Sequence, residues 1–114
     1  MRKIAQIAAL AAVTAATALT TTGTAEAATE SISNHCTTSV AVRSSYSTSA
    51  AINGYCYTRS VVTSDCYMVG TSIFGNPYWD KSHVATRDYV GDPVYYTNGW
   101  ISEYYLSNKN APHC

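Results

Sequence analysis

The chain has 114 residues, of which 12% are charged, and its seven Lys and Arg balance seven Asp and Glu. With no net charge and no basic patch, nucleic acid and anionic membrane surfaces are excluded as main partners. The length leaves room for one small domain with a modest core, which makes cross-links expected.

Met1-Arg2-Lys3 is a basic start, Ile4 to Leu19 an apolar, Ala-rich run, and Ala25-Glu26-Ala27 places small residues before a cleavage point. Residues 1–27 are therefore expected to be a secretory signal peptide. The run is short and broken by Thr and Gln, unlike a transmembrane anchor, so no membrane insertion is expected after cleavage. Without Arg2, Lys3 and Glu26 the chain carries a slight acidic excess. All four cysteines, Cys36, Cys56, Cys66 and Cys114, follow the cut, and an exported chain meets an oxidising environment. Four cysteines allow three pairings, among which sequence alone does not choose. The expectation taken forward is Cys36 with Cys56, tying the opening strand to the next β-segment, and Cys66 with Cys114, fastening the C-terminal tail. Each bridge would contribute roughly 3–4 kcal/mol in the chain-entropy model.

Residues 28–35 read as a flexible lead, rich in Ser and Thr. Val40 and Val42 alternate with smaller neighbours as a strand does, and the polar stretch from Ser44 to Ser49, interrupted by Tyr46, suits an exposed arch. Ile52-Asn53-Gly54 offers turn chemistry. From Tyr55 to Cys66 the chain favours β structure again, with Val61, Val62 and Thr63 at its centre and Tyr55 and Tyr57 on the face opposite Cys56. Gly75-Asn76-Pro77 is a turn by composition, and Tyr78-Trp79 starts a strand whose indole belongs in the core. Two later phrases could close the fold, Tyr89 to Tyr95 and Gly99 to Leu106, with Thr97-Asn98-Gly99 between them as hairpin chemistry. No 3.6-residue period is sustained after the leader, so the domain is all-β.

Val40-Ala-Val-Arg-Ser44, Ile52-Asn-Gly54, Asp65-Cys66, Gly70-Thr-Ser-Ile-Phe-Gly75, Trp79-Asp80, Tyr89 to Thr97 and the final Ala111-Pro-His-Cys114 stand in an order that resembles bacterial SH3-like domains, in particular small secreted SH3-like proteins of actinobacteria. The resemblance implies a small SH3-like β-barrel over residues 36–114, with an extra C-terminal hairpin or tail. Such modules are frequently attached to cell-wall enzymes and are thought to hold peptidoglycan stem peptides or cross-bridges. Two departures stand out: Ser45-Tyr46 where a Gly-Pro pair is usual in the arch, and Arg59 near the place of a turn glycine. Cys56 stands where the family has a large hydrophobic residue, which points it inward. Spacing from Trp79 favours Tyr89 to Tyr95 as the barrel-closing strand, whereas Gly99-Trp-Ile-Ser102 better matches the family's last strand.

Catalytic signatures are weak. His35-Cys36 and His113-Cys114 could together offer two nitrogens and two sulfurs to zinc, but an even set of exported cysteines is more simply disulfide-bonded. A nucleophilic cysteine assisted by His83 and Asp80 or Asp88 fails for the same reason. Asp80, Asp88, Asp92 and Glu103 could supply an acid/base pair for a glycan, yet most sit beside turn residues and read as surface caps. The aromatic content is the stronger signal: ten Tyr and two Trp exceed what a small core hides. Trp79, Tyr89 and Trp100 are expected to fill the barrel. A groove between the arch and the loop around Pro77, lined by Tyr46, Tyr78, Asp80 and Tyr96, is expected to bind peptidoglycan or its peptides. The expected molecule is thus a secreted, monomeric, non-enzymatic module without cofactor or metal, free in the medium or held on the wall. The alternative is a module that binds or inhibits a secreted or cell-surface protein.

Overall fold

A computed structural model describes residues 30–114; the expected signal segment, residues 1–27, lies outside the described residues. Six strands follow in order: β1 Ile32–Asn34, β2 Val40–Arg43, β3 Ile52–Cys56, β4 Val61–Ile73, β5 Asn76–Thr86 and β6 Tyr95–Ser102, with a 3₁₀ turn over Glu103–Tyr105. All pairings are antiparallel, and the order across the single sheet is β1-β4-β5-β6-β2-β3. The fold is all-β and stapled by two disulfides, Cys36–Cys56 and Cys66–Cys114, the expected pairs.

The strand ladder does not close into the expected barrel. Its edges are β1 and β3, and what crosses the seam is covalent: Cys36, just beyond β1, is bonded to Cys56 at the end of β3. Cys36 also pairs with Leu106. Both cysteines are fully buried and join Val42, Val62, Val84, Ile101 and Leu106 in the core. Alternation puts these side chains on one face: Val62 of β4 opposes Val84 of β5, and Ile101 of β6 opposes Asp80. Five aliphatic side chains of this size make a small core, so the bridges carry a large share of the stability.

The outer edge of β4 is a potential aggregation template that three separate segments cover. β1 pairs along Val62–Ser64. The C-terminal tail follows, with Tyr67 N–H donating to the Pro112 carbonyl at 2.8 Å and Cys114 N–H to the Tyr67 carbonyl at 2.9 Å. The arch finishes the edge, its Tyr46 carbonyl accepting from Thr71 N–H at 3.3 Å. Cys66–Cys114 locks the tail in this place.

Five expectations are corrected. The lead is ordered from β1 onward, because the Asn34 side chain donates to Ser64 Oγ and to the Asn108 carbonyl, tying the segment to the tail. The closing strand is the second phrase: Trp100, Ile101 and Ser102 lie in β6, while residues 87–94 form the β5–β6 connection. Thr97-Asn98-Gly99 is strand interior. Gly99 is there for close approach, since a Cβ would lie 2.4 Å from the Arg43 carbonyl oxygen of the neighbouring strand β2. The β4–β5 turn is at Phe74-Gly75, with positive φ of 48° and 88°, and Asn76 and Pro77 already belong to β5. Of the three expected barrel-filling aromatics, Trp79 is buried, Trp100 half-buried and Tyr89 exposed.

Candidate functional site

The arch between β2 and β3 is knit by its own serines. Ser44 N–H donates to the Ala51 carbonyl, Ala50 N–H to the Ser47 carbonyl, and Ser49 N–H to Ser47 Oγ. Hydroxyl side chains that satisfy neighbouring backbone groups give a fixed loop without the Gly-Pro pair. Arg43 at the end of β2 turns its guanidinium onto the loop, donating to the Ala50 carbonyl at 2.9 Å.

The loop is docked as well as knit. Gly70 of β4 lies so close beneath it that a Cβ would fall 1.9 Å from the Tyr46 carbonyl oxygen, and Thr48 N–H donates to Thr71 Oγ1 at 3.3 Å. The Tyr46 ring meets Trp100 edge-on at 4.9 Å. The Trp79 indole N–H donates to the Thr71 carbonyl at 2.8 Å, which ties the ring to the β4 residue on which the arch docks. Between the arch and the β4–β5 hairpin these groups leave a cavity of about 130 Å³, walled by Arg43, Thr48, Ile73, Trp79, Ser102 and Tyr105 among others. Its size is close to that of a cavity that takes benzene. Its walls are aliphatic and aromatic with three hydroxyls, those of Thr48, Ser102 and Tyr105, and a single charge, that of Arg43. A small apolar group carrying a carboxylate or carbonyl would match both features.

The cavity occupies the expected region, but the four expected lining residues are not brought together. Tyr46 is half-buried against Trp100. Tyr78 packs at 5.1 Å on Tyr67, which in turn packs at 4.8 Å on His113 of the tail. Tyr96 is exposed opposite Ala85, toward the other end of β5 from Trp79. Asp80 is completely buried and faces the interior. Sequence reasoning placed Trp79 in the core and passed over Arg43 and Tyr105. Arg43, the basic residue where β2 enters the arch, was the available signal.

The burial of Asp80 has a chemical consequence. Desolvation, then the neighbouring Glu103 carboxyl, push its pKa from 3.8 to about 8, against smaller opposing effects of Ser64 and Lys109. As an ionised group, neither of its oxygens has a hydrogen-bond partner; with a proton on Asp80 the pair becomes donor and acceptor. Asp80 and Glu103 are thus interior groups rather than surface caps. Of the other two carboxylates considered, Asp88 pairs with Arg59 and Asp92 lies in the β5–β6 connection.

His83 finds its carboxylate in Asp65, not in Asp80 or Asp88. Asp65 sits at a β-bulge between Ser64 and Cys66, a device that re-aims a side chain. His83 Nε2 lies 2.7 Å from Asp65 Oδ2 and Nδ1 2.9 Å from Asn98 Oδ1, and Ser31 Oγ donates to Asp65 Oδ1 at 2.6 Å. With acceptors at both ring nitrogens, the imidazolium is favoured, and the bonds to Asp65 and then Asn98 raise the His83 pKa above 6.5. Burial alone would raise the Asp65 pKa, but Ser31 and His83 bring it below 3.8. The Ser31 hydroxyl serves Asp65 rather than the imidazole, so the group is not arranged as a nucleophile and its base. All four cysteines are in disulfides, which takes their thiolates from zinc and from nucleophilic chemistry.

Compared with known proteins, the chain matches no family model, no curated protein and no solved structure.

Proposed function

We propose that this is an exported, non-enzymatic binding module of SH3-like character that holds bacterial cell-wall peptidoglycan through the cavity under the arch. One observation carries the reading: a preformed cavity of about 130 Å³, aromatic on its walls and cationic at one point. An alanine-sized side chain in a wall peptide fits against Trp79 and Ile73, and its carboxylate or carbonyl fits Arg43. The hydrogen bonds that fix the arch and the indole support a site organised before binding, which lowers the cost of ordering it. Two disulfides support an oxidising compartment, and no helix among the described residues is long and apolar enough to cross a membrane.

The test is co-sedimentation of the oxidised protein with purified sacculi at two salt concentrations. Saturable binding that survives the higher salt is expected, because the walls are mostly uncharged; binding lost with salt, or none by the folded protein, contradicts the reading.

A second reading, docking to a secreted or cell-surface protein, is favoured by Phe74. It stands at the β4–β5 hairpin tip, 81% exposed, with a left-handed backbone that a bulky residue seldom adopts. Capture of one partner protein from culture fluid that is lost in Phe74→Ala would support it.

A further inference from the structure

At the other end of β5 from the arch, the β3–β4 connection, residues 57–60, faces the β5–β6 connection, residues 87–94. The first is set by serine rather than by glycine. Ser60 N–H donates to the Tyr57 carbonyl and Tyr57 N–H to Ser60 Oγ, both at 2.9 Å, and Ser60 Oγ meets Thr86 Oγ1 at 2.7 Å. Arg59, stacked 4.5 Å above the Tyr57 ring, reaches across to pair with Asp88. This ridge separates two open clefts. One, of about 260 Å³, is walled by Tyr55, Tyr57, Asp88, Tyr95 and Thr97 among others. The other, of about 380 Å³, lies beyond Arg59 and is walled by Val61, Arg87 and Tyr96 among others. Tyr55 is 49%, Tyr95 62% and Tyr96 76% exposed, so three rings with polar tips stand largely in water.

We propose that these clefts form a second binding site, for an extended glycan chain lying across the Arg59 ridge. The C–H faces of sugar rings cover the exposed tyrosine faces, and hydroxyls supply what the ridge asks for. The Asp88 carboxylate accepts only and requires donors, while Arg59 donates only and requires acceptors. A polyol offers both at each residue. A proline-rich segment would also suit tyrosine grooves, but it has few N–H groups to offer the Asp88 lone pairs that Arg59 leaves open. Arg59 and Asp88 cancel in charge, which fits an uncharged ligand in the first cleft. The site is separate from the arch cavity and does not rest on it.

The experiment is an NMR titration of the oxidised protein with two peptide-free probes, cellohexaose and the β-1,4 hexamer of N-acetylglucosamine. Saturating shifts at Tyr55, Tyr57, Tyr95 and Thr97 with at least one probe are expected, with millimolar or tighter dissociation. Tyr95→Ala should weaken binding about fivefold or more, the mark of a contact that matters. Tyr89→Ala, whose exposed ring lies outside the cleft walls, should leave it unchanged. A folded protein that shows no shifts with either sugar, or shifts confined to other residues, overturns the proposal. So does a response of these residues to a proline-rich peptide alone.

Discussion

Asp80 of β5 and Glu103 of the 3₁₀ turn bring their carboxyl groups together inside the fold, both shut off from solvent. Lys109, the cation close enough to act on Asp80, gives its ammonium to the main-chain carbonyls of Glu103 and Leu106 at 2.6 Å each. The pair is therefore held by a proton on Asp80, a folded-state uptake that the unfolded chain does not match.

With a folded pKa of about 8 against 3.8 in the free group, the folded state binds more protons between those values, so this group lowers stability as pH rises from about 4 to about 8 and adds no slope beyond. Asp80→Asn keeps the shape, donates to Glu103 and removes the titration. The variant should unfold at a higher temperature than the parent at pH 9, with the difference shrinking toward pH 4. Thermal melts across that range check it, and a parent curve that rises steadily to pH 9 would contradict it.

His83 and Asp65 act over a different window. The stabilisation from the raised His83 pKa is complete below 6.5 and is lost as pH rises through the folded value; that from the lowered Asp65 pKa is present above 3.8 and is lost on acidification. The side chains are 47% and 25% exposed, so screening keeps the pair to about 1 kcal/mol or less. NMR titration should place His83 above 6.5, and Asp65→Asn should bring it down. An unchanged value in that variant would remove the assignment.

The two disulfides should reduce in sequence. Cys36 and Cys56 are fully buried, whereas Cys114 is exposed at the end of the tail. Mild thiol treatment followed by alkylation and mass spectrometry should find Cys66 and Cys114 modified first. Permanent loss of that bridge, which spans 48 residues, should cost about 4 kcal/mol in the chain-entropy model and uncover the Tyr67 stretch of the β4 edge.

Phe74-Gly75 makes a hairpin tip whose first residue has φ 48°. Asn-Gly is the favoured pair for such a turn, so Phe74→Asn should stabilise the fold by about 1 kcal/mol, measured by urea unfolding. A destabilised variant would show that the Phe74 ring, 5.0 Å from that of Tyr104, contributes more packing than its backbone costs.

Local rules reached far along this chain and failed where distant segments meet. The strands around Val40–Val42 and Val61–Thr63 and the buried Trp79 follow from alternation and composition, the inward Cys56 from the resemblance, and the disulfide pairs from asking which segments needed fastening. Thr97-Asn98-Gly99 has the composition of a turn, but its glycine answers to the Arg43 carbonyl of another strand, which no local window contains. Residues 89–94 carry β-formers yet make no strand, because β6 already supplies the partner for both β5 and β2. Tyr46, Tyr78, Asp80 and Tyr96 do not line one groove, because the ladder between β4 and β5 shifts register between Val69 and Ile73 and Asp80 faces the interior. Asp80 could have been placed inside by counting it with Ser82 and Val84; its meeting with Glu103 is tertiary and invisible to spacing.

The most direct test of the arch cavity is an NMR titration of the oxidised protein with soluble wall muropeptides, following the Trp79 indole N–H that is bonded to the Thr71 carbonyl. Saturable shifts are expected at that indole and at Thr48 and Tyr105, with weaker binding in Gly70→Ala, whose added methyl pushes the arch from its seat. An indole signal that stays fixed while the protein binds muropeptides elsewhere, or binds none, would contradict it.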